Sequence, residues 1–222
     1  MKTVEATSQK LNSIAHTTID GSQCEVKNIP QWTAPKRLQL FGGGFGTTYK
    51  CVDNKTHKDM VMKVMPKAIE GINYEELKRE ADSMKELVHP NIVRYFDSFE
   101  DENDFCIIID YIDGGNLQQL LEEGTLDEET TAGIAEQLLT ALCILSDHKI
   151  IHGNINPENI FFREDGTIVI GDIGCAKQLG SSQSQTLDGS LTKEYASPEM
   201  FLGHPFDHNS DIWSVVVVLY EM

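Results

Sequence analysis

Basic residues are scarce in this chain: eighteen Lys and Arg stand against thirty-five Asp and Glu, a formal net charge of −17. An acidic excess of that size repels nucleic-acid phosphates and anionic lipid surfaces, so nucleic acid is disfavoured as a partner. The plainer meaning of the charge is a solvated surface that aids solubility. Long apolar runs are missing too. The longest, Val215 to Tyr220, falls far short of the ~20 residues of a membrane span, and the N-terminus lacks the apolar core of a signal peptide. No membrane insertion and a cytoplasmic location are expected. The five cysteines, Cys24, Cys51, Cys106, Cys143 and Cys175, are scattered without a Cys-x-x-Cys pair. That argues against zinc or a disulfide framework and for free thiols in a reducing compartment. Repeats and low-complexity arrays are lacking as well.

What is present is enough for one sizeable core: 222 residues, 40% of them apolar. Residues 1–34 are polar and without sustained periodicity, and read as a flexible N-terminal extension. Short strand-like runs follow at Leu38 to Phe41, Thr48 to Val52 and Met60 to Met65, with turn signals between them. Tyr74 to Leu87 has helical spacing, with Leu77, Met84 and Leu87 as its apolar positions. Two further strands are predicted, Ile92 to Phe99 and Phe105 to Ile109. After Asp113-Gly114-Gly115 the pattern turns helical, with a short helix over Asn116 to Glu122. A long one over Glu128 to His148 carries Ile134, Leu138, Leu142 and Leu145 on one face. A strand pair is predicted around Ile160 to Phe162 and Ile168 to Ile170, then a polar loop from Gly180 to Ser190. A last apolar helix starts near Asp211.

The stretch His152-Gly153-Asn154-Ile155-Asn156-Pro157-Glu158-Asn159 resembles the catalytic loop of protein kinases. That loop reads His-Arg-Asp, two spacers of which the second is often Lys, then Pro-Glu-Asn. Gly153, Asn154 and Asn156 stand at the Arg, Asp and Lys positions. Other kinase-like motifs occur in order. Phe41-Gly42-Gly43-Gly44-Phe45-Gly46-Thr47-Thr48 resembles the glycine-rich loop, with Gly43 and Gly46 kept and Phe41 at the first Gly. Met60-Val61-Met62-Lys63 resembles the Val-Ala-Ile-Lys strand, whose Lys pairs with a helix glutamate, here Glu80 with Glu76 as competitor. Asp110-Tyr111-Ile112 resembles the hinge that binds adenine, and Phe161 the pocket floor. Gly171-Asp172-Ile173-Gly174 resembles the Asp-Phe-Gly motif, with Asp172 thirteen residues after Asn159. Thr192, Tyr195-Ala196-Ser197-Pro198-Glu199 and Asp211 match the substrate loop, the Ala-Pro-Glu motif and the helix aspartate that steadies the catalytic loop. Asn159-Ile160-Phe161 and Asn209-Ser210-Asp211-Ile212-Trp213 bring the resemblance nearest to the NIMA-related (Nek) Ser/Thr kinases.

The resemblance implies an α+β, bilobal kinase fold: a small β-rich N-lobe over residues 35–110 and a mainly helical C-lobe over 111–222, truncated after the helix containing Asp211. It implies ATP held by Gly43, Gly46, Thr48, Val61, Lys63, Asp110, Ile112 and Phe161, and Mg2+ held by Asn159 and Asp172, both weakened. Val61 in place of Ala would crowd the adenine, and Glu199 would lack the Arg it normally meets. In the catalytic set, Asn154 replaces a general base, whose loss typically costs roughly 10²- to 10⁴-fold in rate, and Asn156 removes a cation near the transferring phosphate. A pseudokinase acting as a regulatory or scaffolding module for protein partners is the reading that follows. A weakly active Ser/Thr kinase and a non-functional kinase fragment are its alternatives. Cytoskeletal association is implied only by the Nek likeness.

Overall fold

The computed structural model describes residues 32–43, 46–67, 74–100, 102–171, 177–178 and 193–222. They fall into two compact units. One is built from the described residues between 32 and 88 together with 94–111, the other from 89–93 together with those between 112 and 222.

The first unit is a five-stranded antiparallel sheet with one helix. Its strands are β1 (Trp32–Gly43), β2 (Gly46–Asp53), β3 (Asp59–Pro66), β4 (Tyr95–Glu100) and β5 (Asp104–Asp110), in the order β1-β2-β3-β5-β4. β1 begins at Trp32, earlier than the expected Leu38, because Trp32 and Thr33 pair with Asp53 and Val52 before a register shift that spans Pro35. Proline lacks an N–H for the ladder, and an irregular edge strand is where a sheet tolerates it. Alternation along β3 then sorts the two faces. Cys51, Met60, Met62, Cys106 and Ile108 form a buried cluster with Val64, Phe96 and Phe99 against it. Thr48, Lys50, Val61, Lys63, Ile107 and Ile109 fall on the opposite face by the same two-residue period. Burial, with Asp59 and Asp53 adding to it, pushes the Cys51 thiol up to about 12, so this cysteine is an inert core residue.

Helix α1 (Tyr74–Met84) ends three residues before the expected Leu87. It is tied to β4 by Lys78 Nζ to Glu100 Oε1 at 3.2 Å, and Lys85, just beyond the helix, reaches Asp97 at 3.4 Å.

The second unit is mainly helical: α2 (Leu117–Glu122), α3 (Glu128–Asp147), α4 (Pro198–Phe201) and α5 (His208–Glu221), with short strands β6 (Ile150–Ile151), β7 (Ile160–Phe162), β8 (Ile168–Ile170) and β9 (Lys177–Gln178). Local chemistry starts each helix where it begins. Asn116 and Gln119 form a reciprocal capping box on α2, and Asp127 caps α3 through the Thr130 N–H. Ile134, Leu138, Leu142 and Leu145 of α3 are all buried, as the helical spacing predicts.

The strand expected over Ile92 to Phe99 is split. Asn91 Nδ2 donates to Gln137 Oε1 at 2.9 Å and to the Ile168 carbonyl at 2.8 Å, and the Val93 N–H donates to the Ile170 carbonyl. Ile92 and Val93 therefore belong to the helical unit, and β4 starts only at Tyr95. The last helix begins at His208, one turn earlier than expected, because the Asp207 carboxylate caps it through the Asn209 N–H. Val215 and Val218 are buried, and the open face is Ile212, Trp213, Val216 and Tyr220. No described helix is long and apolar enough to cross a membrane.

Candidate functional site

In the sheet unit, Gly43 and Gly46 are cross-strand partners that close the β1–β2 hairpin. Thr48 faces Lys63 in register, and Lys63 faces Ile107 on its other side, which sets the half-buried lysine in the middle of the sheet. Val61 is buried between Lys50 and Ile109. Asp110 ends β5 with its N–H donated to the Arg94 carbonyl, and its carboxylate, 6% exposed, takes Lys58 Nζ at 2.7 Å. The Asp110 side chain is thereby committed to an ion pair, so any ligand contact from this residue falls to the main chain. Next to it, Lys50 Nζ lies 4.0 Å from the centre of the Tyr111 ring and 2.7 Å from Asp59. That cation–π contact has no signature in the sequence. Glu80 lies on α1, but its side chain, with that of Glu76, is outside the described residues, as is the side chain of Phe41.

In the helical unit the loop from His152 to Asn159 is organised around a buried carboxylate. Asp211 of α5, 2% exposed, accepts from the His152 N–H and from the Gly153 N–H, each at 2.8 Å. Burial pushes the Asp211 carboxyl above its usual range, opposed by the His152 imidazole and the two amide donors. His152 is fully buried, with Nε2 against the Gly171 carbonyl at 2.8 Å and Nδ1 taking the Asn154 N–H at 3.2 Å. Gly153 has φ = 73°, the left-handed region that a residue without a Cβ enters at little cost.

Three carboxamides complete the loop. Asn156, expected as the mere absence of a lysine, is 2% exposed and caps the 3₁₀ turn Pro157–Asn159. Its Oδ1 accepts from the Glu158 and Asn159 N–H groups at 3.0 and 3.2 Å. Its Nδ2 reaches the Asn154 carbonyl at 3.3 Å and Asn154 Oδ1 at 3.2 Å. Asn159 Nδ2 donates to the same Asn154 carbonyl at 2.8 Å. The capping role was legible in principle, since Asn immediately before Pro is a common opening of a helical turn.

Around the loop, Phe161 is half-buried and its ring lies over Gly171, where an added Cβ would come within 2.5 Å of Cε2. Only a glycine lets the ring settle there. Ile112 is half-buried. Glu199, expected to lack its usual partner, accepts from the Ser210 hydroxyl. Chiefly through that bond its carboxyl is held below the ordinary range. The Ser214 hydroxyl donates to the Tyr195 carbonyl at 2.7 Å, and the Tyr195 hydroxyl donates to Glu221. Neither serine was singled out from sequence, because a buried hydroxyl pairs with whatever tertiary structure brings to it. Asp172, Cys175 and Thr192 lie outside the described residues.

Do these groups fit ATP and Mg2+? Asn159 spends its amide nitrogen on the Asn154 carbonyl, so the atom left to a cation is Oδ1, a hard oxygen of the kind magnesium takes. Lys63 sits on the sheet face opposite the apolar cluster and beside Thr48, where an ammonium can meet phosphate without entering the core. The residues present are compatible with the nucleotide.

A family model described as the protein kinase domain matches residues 36–222. Serine/threonine-protein kinase 36 of Pongo abelii is 36% identical over 189 residues, covering 83% of this chain and 14% of the relative. Serine/threonine-protein kinase Nek1 of Mus musculus is 34% identical over 191 residues, covering 84% of this chain and 16% of the relative. Aurora kinase B of Danio rerio is 33% identical over 183 residues, 81% of this chain and 56% of the relative. The chain thus spans less than two thirds of the length of each of these Ser/Thr-kinase relatives. With a β-sheet unit, a helical unit and the matched loop between β6 and β7, this chain belongs to the protein kinase domain family.

Proposed function

We propose that this domain is a Nek-like pseudokinase, a regulatory or scaffolding module that holds ATP and Mg2+ without efficient phosphoryl transfer. One observation carries the reading. The base position is a carboxamide whose only acceptor oxygen on the side chain, Asn154 Oδ1, already takes a hydrogen bond from Asn156. An amide is essentially non-basic, so it can accept a hydrogen bond from a substrate hydroxyl but cannot take its proton.

The chain's own residues then act as a holder. Lys63, paired with Glu80, would meet the phosphates, and the Gly43 and Gly46 main chain would lie close to them. The Asp110 and Ile112 main chain and Phe161 would receive the adenine, and Asn159 with Asp172 would hold the metal. Bound nucleotide and metal would supply a compact, highly charged ligand that orders these groups. Protein partners in the cytoplasm, with cytoskeletal association by Nek analogy, complete the proposal. A weakly active Ser/Thr kinase is the second reading. The intact Asp211 support of the loop favours it, since positioning and metal charge carry much of this chemistry.

Radiolabelled phosphate transfer from ATP to a serine peptide separates the two. No transfer above background is expected from the wild type. Robust turnover that Lys63→Ala abolishes would overturn the pseudokinase reading.

A further inference from the structure

The hydrogen bonds of the loop fix which way two amides face. The Glu158 and Asn159 N–H groups point at one end of the Asn156 side chain, and only an oxygen can accept from both. The other end of Asn156 is therefore its NH2 group. That group lies 3.2 Å from the Asn154 side chain, so the Asn154 atom facing it must be an acceptor, Oδ1. Asn154 Nδ2 is left on the far side. Asn154 is half-buried, and among the described residues nothing accepts from that nitrogen. The loop consequently offers a hydrogen-bond donor at the position where a kinase offers a carboxylate.

We propose that the Asn154 amide, held by Asn156, donates to the terminal phosphoryl group of a bound nucleoside triphosphate, so that the loop retains ATP in preference to ADP. The inference rests on the nucleotide-holding reading above and adds which phosphate state is held. In phosphoryl transfer the residue at this position stands beside the attacking hydroxyl, in line with the terminal phosphorus. With no hydroxyl to deprotonate, the nearest acceptors are the terminal phosphoryl oxygens, which carry charge and no proton. An aspartate would meet them as a like charge. A carboxamide NH2 meets them with a charge-assisted hydrogen bond, the stronger class of such bonds. Asn156 is a positioning residue: by holding Oδ1 it keeps the amide from turning its oxygen toward the phosphate. Diphosphate lacks the group being gripped, so its affinity is set by the other contacts.

The test is a pair of titrations on the whole 222-residue chain, with Mg2+ throughout, using ADP and the non-hydrolysable β,γ-imido analogue of ATP as probes. Wild type, Asn154→Ala and Asn154→Asp are compared. The wild type is expected to favour the triphosphate. Asn154→Ala should lower the ratio of triphosphate to diphosphate affinity by about tenfold, the low end for a charge-assisted bond. Asn154→Asp should lower it further, with ADP affinity moved little in either variant. A ratio that stays the same in all three proteins overturns the clamp while leaving nucleotide holding intact. A parallel fall in both affinities overturns it too, because that marks a merely structural residue. Failure of the wild type to bind either nucleotide sinks the nucleotide-holding reading itself, and the clamp with it.

Discussion

Replacing Asn156 by Ala should destabilise the helical unit by about 2 kcal/mol. The figure comes from the bonds the side chain makes. Its Oδ1 caps the 3₁₀ turn through two N–H groups, and losing a cap of this kind costs about 1 kcal/mol. The Asn159 N–H keeps the Asn156 carbonyl at 3.1 Å, so the loss does not double. The amide also holds Asn154 Oδ1 in a half-buried setting, and losing that bond adds about 1 kcal/mol. Together these shift the folded-to-unfolded ratio about 30-fold. Two further substitutions test the origin of the effect. Asn156→Asp keeps an acceptor for both N–H groups but has no donor for Asn154 Oδ1, and should recover at most about half of the loss. Asn156→Lys restores the residue of the kinase pattern but brings no acceptor and places an ammonium where the native side chain is 2% exposed. It should be at least as damaging as Ala. Urea denaturation followed by circular dichroism reads all three. If Asn156→Lys were as stable as the wild type, the position would be a vacated lysine site and not a cap, and the reasoning would fail.

Gly153→Arg, the other return toward the kinase pattern, should cost about 1–2 kcal/mol, because φ = 73° is a left-handed conformation that a side chain disfavours; Gly153→Asn should cost less, and thermal melts of the two rank them. Asp211→Ala strips the acceptor from two buried N–H groups, a loss of about 2–6 kcal/mol at roughly 1–3 for each. Amide hydrogen exchange should then accelerate first at His152 and Gly153. For Glu199 the folded carboxyl lies below the ordinary 4.5, with the Ser210 hydroxyl the main cause. Its folded state binds fewer protons than the unfolded chain, so its contribution is present above pH 4.5 and is lost as pH falls through the depressed value. Melting temperature measured from pH 6 down to 3 should therefore show Ser210→Ala below wild type at the top of that range and converging with it at the bottom. A gap that stays constant across the range would mean that the Ser210 bond does not depend on the Glu199 charge.

The sequence by itself determined the elements whose cause is local. Alternation in Met60 to Met65 marks a strand, and spacing from Ile134 to Leu145 marks the buried face of α3. The motif order from the glycine-rich turn to Asp211 identified the family, because short spacings carry that information. Only the tertiary structure decided which groups meet across long separations. Ile92 and Val93 look like the start of β4, yet they pair with β8, because Asn91 is drawn to Gln137 and to the Ile168 carbonyl, 77 residues away. Glu199 finds Ser210, and within the apolar α5 it is Ile212, Trp213, Val216 and Tyr220 that stay open while Val215 and Val218 are buried, since burial depends on what packs against a helix as well as on its composition. The replaced loop residues show the same division. Their identities could be read as losses from the one-dimensional pattern. That Asn156 caps a turn and turns the Asn154 amide outward follows from hydrogen-bond directions, which exist only once the backbone has placed its donors in space.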